Sequence, residues 1–200
     1  VPATAQALPE ASPDFKVFTV RIAPGIHFDD DPAFKGRRRE LVAADYVYAI
    51  KRFYDPKYAS GDLYLYESLK LPGLTELRER ALATKQPFDY DAPVEGVRAL
   101  DRYTLRVTLG MPNPRFVYLM ADPTYFGAVA REVVDHYGDE IGAHPVGTGA
   151  FRLKSWRRAS RIVLERSPTY RGQRYDGTPA DDPLAREIAA GLSGKVLPLV

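Results

Sequence analysis

The sequence predicts a mixed α/β fold of the α+β-like kind, and three observations carry that expectation. Runs that alternate apolar and polar residues occur in the same chain as runs with apolar residues at helical spacing; the two are mixed without a regular strand–helix–strand rhythm; and no internal repeat divides the sequence. With 200 residues, 45% of them apolar and 27% charged, the chain has enough material for one large domain or two small ones. Its 17 prolines and 15 glycines mark a turn-rich chain rather than a low-complexity one.

The elements follow in order from local pattern. Residues 1–13 hold three prolines and no periodicity and read as a surface arm. Residues 15–22 alternate, with Phe15 and Val17 on one face and Phe18, Val20 and Ile22 on the other, so they read as a strand that Pro24-Gly25 ends. An acidic cluster, Asp29-Asp30-Asp31, and a basic one, Arg37-Arg38-Arg39, then share a loop. Apolar or aromatic residues at 43, 46, 47, 50, 53 and 54 predict a helix, with Asp45 in its first turn and Lys51 and Arg52 at its end, the signs that the helix dipole favours. Asp55-Pro56 stops it.

Residues 57–73 carry Tyr58, Tyr64 and Tyr66 between Gly61 and Pro72-Gly73 and read as an aromatic, turn-bounded segment. Helical spacing resumes at Leu74, Leu77 and Ala81 and fades into a polar linker over 84–93. Two strands, 94–100 and 103–109, flank Asp101-Arg102 as a hairpin. Short helices are expected over 115–121 and 129–137, the second closed by Gly138 as a left-handed cap. A second hairpin joins 151–156 to 162–166. A last helix runs over 184–192, with Asp182 as N-cap, Pro183 at the first helical position and Gly194 closing it. The apolar stretch 196–200 reads like the opening of a strand, and the chain, which begins at Val1 with no basic-plus-apolar leader, reads as a piece of something longer.

Charge and composition exclude several classes. Lys and Arg number 28 against 26 Asp and Glu, a net charge of +2, so no basic field for nucleic acid exists. No apolar run approaches the roughly 18 residues that span a bilayer. The absence of cysteine excludes disulfides, thiolate metal sites and a Cys nucleophile.

Candidate chemistry is sparse. His27 with Asp29, Asp30 and Asp31 offers oxygens to a hard cation, but the glycine and distal Glu of a calcium loop are missing, and a solvated acidic turn is the simpler reading. His136 and His144 flank Asp139 and Glu140 at spacings of no recognised metal site, and neither His-Glu-x-x-His nor Gly-x-Ser-x-Gly occurs. Gly147-Thr148-Gly149 precedes a strand with no Lys-Ser/Thr pair after it, so a tight turn is preferred to a phosphate loop. Arg37, Arg38 and Arg39, with Arg157, Arg158 and Arg161, are read as solvated loop charge rather than a polyanion track. The tyrosines of 58–66 are either a ligand wall or packing under a loop.

The order of four blocks is more specific than any of these. They are Phe18-Thr19-Val20-Arg21-Ile22-Ala23-Pro24-Gly25-Ile26-His27-Phe28 followed by Ala43-Ala44-Asp45-Tyr46-Val47-Tyr48-Ala49-Ile50-Lys51-Arg52; then Gly96-Val97-Arg98-Ala99-Leu100-Asp101-Arg102-Tyr103-Thr104-Leu105-Arg106-Val107-Thr108-Leu109; then Pro145-Val146-Gly147-Thr148-Gly149-Ala150-Phe151-Arg152-Leu153 with Ile162-Val163-Leu164-Glu165-Arg166-Ser167-Pro168-Thr169-Tyr170. Together they resemble the family 5 extracellular solute-binding proteins, the oligopeptide and dipeptide receptors of ABC importers. The resemblance implies part of the first lobe of a two-lobed, type II periplasmic-binding-protein fold, a mixed sheet with flanking helices. Residues 1–14 are then an amino-terminal arm, 15–145 the small subdomain of that lobe, and 146–200 strands and a helix of its main part.

Implied as well is a periplasmic or extracellular receptor that captures peptides or a similar solute and hands it to an ABC permease in the membrane, with no catalytic residue, cofactor, metal or nucleic acid. Some relatives carry nickel or sugars, so the ligand class stays open. Within 62–66, Asp62 and Tyr64 are the candidate ligand contacts, since the family equivalent lies near the cleft. Binding is expected to need a second lobe, which these 200 residues lack. Two departures stand out: the loop 29–40 is longer than usual, and Val42 stands where the family has a capping Thr, a loss of ~1 kcal/mol unless another group supplies the acceptor. A divergent metal-dependent enzyme domain and a stand-alone interaction module are the alternatives.

Overall fold

Phe18 and Val20 alternate with half-exposed neighbours, and that pattern places one face of β2 (Val17–Arg21) in the core. The computed structural model describes residues 3–174, 177–179 and 181–197. β2 is the second strand of a four-stranded antiparallel sheet in the order β1-β2-β4-β3, with β1 at Glu10–Ala11, β3 at Val97–Ala99 and β4 at Thr104–Thr108. Register aligns Val20 with Leu105, Phe18 with Val107, and Val97 with Val107, so five buried side chains share one face. The hairpin expected around Asp101-Arg102 is the β3–β4 pair. The amino-terminal arm contributes the edge strand β1, and Ala5 adds a bridge to Ile22.

The strand expected from residue 15 begins at Val17 instead. Phe15 has φ +52 and ends a turn in which Ser12 Oγ accepts from the backbone N–H groups of Lys16 (3.2 Å) and Val17 (2.9 Å).

Helix α1 (Ala43–Tyr54) has the bounds its spacing predicts and packs on β3 and β4, with α3 (Leu74–Thr84) beside it. Val42 supplies no side-chain cap, and three other groups take over. Asp45 Oδ2 accepts from the Val42 N–H (2.8 Å), the Ala43 N–H donates to the Arg102 carbonyl (2.9 Å), and the Arg39 guanidinium grips both Asp45 oxygens at 2.6 and 3.1 Å. At the other end, buried Lys51 turns off the helix and donates to the carbonyls of Tyr90 (2.8 Å) and Ala92 (2.7 Å), which pins the polar linker to α1.

The 57–73 segment contains more structure than its composition announces. A 3-10 turn at Pro56–Tyr58 leads to a seven-residue helix, α2 (Leu63–Leu69), whose Tyr66 and Leu69 are buried. Beyond β4 come three short helices, α4 (Phe116–Met120), α5 (Pro123–Phe126) and α6 (Arg131–Tyr137). Gly138 has φ +54 but ψ −121, so the chain turns there without a left-handed cap and continues as 3-10 turns over Gly138–Ala143.

The second expected hairpin is β5 (Phe151–Arg157) with β6 (Arg161–Arg166), antiparallel and bulged between Leu153 and Ser155. Helix α7 (Pro183–Leu192) starts on the Asp182 cap as predicted and lies in sequence between the paired strands β7 (Gln173–Arg174) and β8 (Val196–Leu197). The rest of the apolar terminal stretch, 198–200, lies outside the described residues.

Candidate functional site

The acidic and histidine clusters are structural. Asp29 is buried and accepts from Ser167 Oγ (2.7 Å) and Thr169 Oγ1 (2.9 Å); Asp31 caps a 3-10 turn and accepts from Tyr137 Oη (3.0 Å). The His144 ring stacks on Tyr137 at 3.8 Å. Among the described residues no group of three or more His, Asp or Glu is placed to hold a metal. Of the basic loop, Arg37 and Arg38 are exposed, whereas Arg39 is a structural cation shared between Asp45 and Glu132 (2.8 Å).

The aromatic segment divides. Residues two apart on a helix differ by about 200° around its axis, and Tyr64 and Tyr66 accordingly face opposite ways. Tyr66 is 0% exposed, its ring 4.4 Å from Phe53 and 6.3 Å from Phe126, and its hydroxyl donates to the Tyr125 carbonyl. Phe126 meets Phe116, and Phe116 meets Phe18 of β2, so an aromatic column runs from the sheet to this surface. Tyr64 is 67% exposed. Asp62 stands at the start of α2, makes no side-chain cap bond, and donates its N–H to Ser60 Oγ (3.3 Å). The Tyr66–Tyr125 bond joins α2 to α5, so the starts of these two helices, with Asp62 before one and Asp122 before the other, form one acidic and aromatic rim. The charge of Asp62, followed by partial burial and by Tyr64 and Asp122, holds the Tyr125 hydroxyl above the usual tyrosine range.

Ser60 and Thr124 carry this rim into a cavity of about 420 Å³. Its floor comes from α1, where Ala49, Arg52 and Phe53 lie at i, i+3 and i+4 on one helix face. The opposite wall is the stretch 127–129 after α5. Gly127 is required there: a Cβ would sit 2.4 Å from the Pro123 carbonyl oxygen. The Arg52 guanidinium lies 4.4 Å over the Tyr58 ring. Neither Asp62 nor Tyr64, the candidate contacts of the sequence, lines this cavity; Arg52, whose charge suits a helix end, does, with Ser60, Thr124 and Gly127. The available signal was the face of Arg52, which groups it with Ala49 and Phe53 rather than with solvent.

A second cavity, of about 460 Å³, lies across α1 and is lined by Arg39, Asp45, Tyr48, Tyr90, Arg131 and Glu132 among others. Burial pushes the Tyr48 hydroxyl up to about 12. The cations of this cavity are already neutralised, Arg39 as above and Arg131 by Asp91 (2.7 Å) and Asp135 (3.6 Å).

Known proteins are similar to this chain over most of its length. The family described as bacterial extracellular solute-binding proteins, family 5 Middle, matches residues 1–182. The periplasmic oligopeptide-binding protein OppA of Salmonella typhimurium is 35% identical over 159 residues, 78% of this chain and 26% of that protein. Di/tripeptide-binding protein 2 of Pseudomonas aeruginosa is 26% identical over 194 residues, 94% of this chain and 32% of its own. Among solved structures, Haemophilus influenzae OppA in complex with RPPGFSPFR superposes with a TM-score of 0.67 at 26% identity, over 85% of this chain and 30% of that one. Listeria monocytogenes OppA bound to peptide gives 0.66 at 25% identity, over 85% and 31%. The chain thus spans about a quarter to a third of the length of these relatives. The matched family consists of binding proteins and not enzymes, so the enzyme-domain and stand-alone-module readings fall to this match.

Proposed function

Because the chain belongs to the bacterial extracellular solute-binding proteins of family 5, we propose that it forms part of the first lobe of a receptor that captures peptides or a similar solute outside the cytoplasmic membrane and delivers it to an ABC permease. The observation that carries this reading is the split between Tyr66 and Tyr64 on α2: one is a fully buried strut, the other is 67% exposed on the helix that follows Ser60 of the cavity. A large aromatic held open by a rigid neighbour is a ready contact for a solute that a second wall then covers. Asp62 adds a carboxylate to the same rim and Tyr125 a hydroxyl.

In this reading residues 15–145 are the small subdomain of the lobe and 146–200 belong to its main part. Support comes from the faces the latter presents: Trp156, Ile162 and Leu164 on the β5–β6 hairpin, and Leu184 and Ile188 one turn apart on α7, are 44–62% exposed. A periplasmic site of action fits the relatives named periplasmic; among the described residues no helix is long and apolar enough to cross a membrane.

Calorimetric titration with di- to oligopeptides tests the proposal. The complete gene product should bind at least one peptide class tightly, and the 200-residue chain should not. Sub-micromolar binding by the 200-residue chain alone contradicts the need for a second lobe, and a complete product that binds no peptide or similar solute contradicts the receptor reading.

A further inference from the structure

The cavity at α1 contains a cation without a counter-charge. Among the described residues Arg52 forms no ion pair and its guanidinium makes no hydrogen bond; Nε is buried and has no hydrogen-bond partner. The shielded Nε–H has lost water and found no acceptor, and so forfeits its solvation, while the two terminal nitrogens, also without a partner, are not shielded and stay open where Arg52 lines the cavity. Lys51, the next residue, solves the same problem with two carbonyls, and Arg39 and Arg131 solve it with carboxylates. Arg52 has only the Tyr58 ring below it, at 4.4 Å. That ring holds the planar guanidinium but leaves its in-plane N–H donors aimed away from the aromatic face. Tyr58, Ser60 and Thr124 line the same cavity, and no carboxylate does.

From this we infer that the cavity is a carboxylate-binding subsite, with Arg52 as its anchoring cation and the Ser60 and Thr124 hydroxyls as further donors. A carboxylate matches the guanidinium fork two bonds at a time, and its charge replaces the missing partner. At about 420 Å³ the cavity admits an acidic side chain or the end of a peptide but not a folded partner. The inference rests on the receptor proposal only for the source of the carboxylate, a solute held at the adjoining rim of Asp62 and Tyr64. Asp62 repels anions, so the two ends of the surface prefer opposite charges and fix the direction in which a zwitterionic solute lies.

The test uses the 200-residue chain and small carboxylates, and so stands apart from peptide binding by the complete receptor. The Arg52 Nε–H resonance and the backbone amides of Ser60, Thr124 and Gly127 are followed by NMR during titration with N-acetylglutamate amide (side-chain carboxylate only), N-acetylalanine (terminal carboxylate only) and N-acetylalanine amide (neither). Saturable shifts with one or both carboxylates, absent with the neutral amide and weakened at least tenfold in Arg52→Gln, are expected. The more effective carboxylate identifies the source. No saturable shift, or an affinity unchanged in Arg52→Gln, overturns the inference. Should Arg52→Gln fail to fold, Arg52→Lys keeps the charge and loses the fork; it should bind at least threefold more weakly, and equal affinity overturns the inference as well.

Discussion

The Asp29 carboxylate accepts from Ser167 Oγ at 2.7 Å across 138 residues of sequence, inside the fold and without a cation beside it among the described residues. Thr169 Oγ1 shares the same oxygen at 2.9 Å, and the Asp29 N–H donates to the Gly147 carbonyl at 2.9 Å. An acidic run that reads as a solvated turn is therefore the clasp between the loop after β2 and the segment after β6. Asp29→Ala should lower the unfolding free energy by about 2 kcal/mol, the scale of hydrogen bonds to a charged acceptor, in urea titrations followed by circular dichroism. Asp30→Ala, on the exposed neighbour, should change it by less than about 0.5 kcal/mol.

Gly127→Ala tests the cavity wall. The new methyl would meet the Pro123 carbonyl oxygen at 2.4 Å, well inside contact distance, so α5 must shift or the wall must open. A loss of about 1–3 kcal/mol is expected, measured by thermal melting, while Gly61→Ala, with open space around it, should stay near wild type.

Glu40 sets an acid-side dependence. Its carboxylate accepts from the Arg102 guanidinium (2.8 Å), the Gly25 N–H (2.7 Å) and Tyr103 Oη (3.0 Å), which hold it down from 4.5 to about 2. The folded state binds this proton more weakly than the unfolded chain, so the contribution is whole above pH 4.5 and is lost as pH falls towards 2. Glu40→Gln should flatten the stability profile across that window in denaturant titrations at successive pH values. A slope that survives the substitution removes Glu40 as its source.

Tyr66→Phe keeps the aromatic column and deletes only the hydroxyl that donates to the Tyr125 carbonyl. A cost of about 1–2 kcal/mol is expected from the abandoned acceptor. Hydrogen exchange should quicken over α2 and α5 more than in the sheet.

Much of this fold is written in local pattern, and what is not has physical reasons. The 43–54 helix is long enough for its apolar stripe to repeat, so both of its ends are readable. The 63–69 helix is under two turns, and its two buried residues, Tyr66 and Leu69, cannot establish a period. A signal for short helices was present elsewhere: Asp-Pro occurs at 31–32, 55–56, 122–123 and 182–183. At each the Asp side chain accepts, at 2.9 Å, from the N–H two residues on, and the Pro opens a helical turn. Pattern alone marks the last as a start and the second as a stop, although the second is both. Asp62 and Tyr64 enter as candidates through family resemblance, whereas Arg52 emerges only from the fold. Its charge suits a helix end, and only the packing of Tyr58 and the 127–129 wall places it in a cavity.

The claim that the α2 surface is one wall of a solute cleft is tested most directly by calorimetric titration of a tightly bound peptide into the complete gene product, wild type against Tyr64→Ala. Tyr64 is exposed, so folding should be unaffected to within about 0.5 kcal/mol, and peptide affinity should fall about tenfold, the range of a lost aromatic contact. Unchanged affinity in a normally folded Tyr64→Ala receptor contradicts the account.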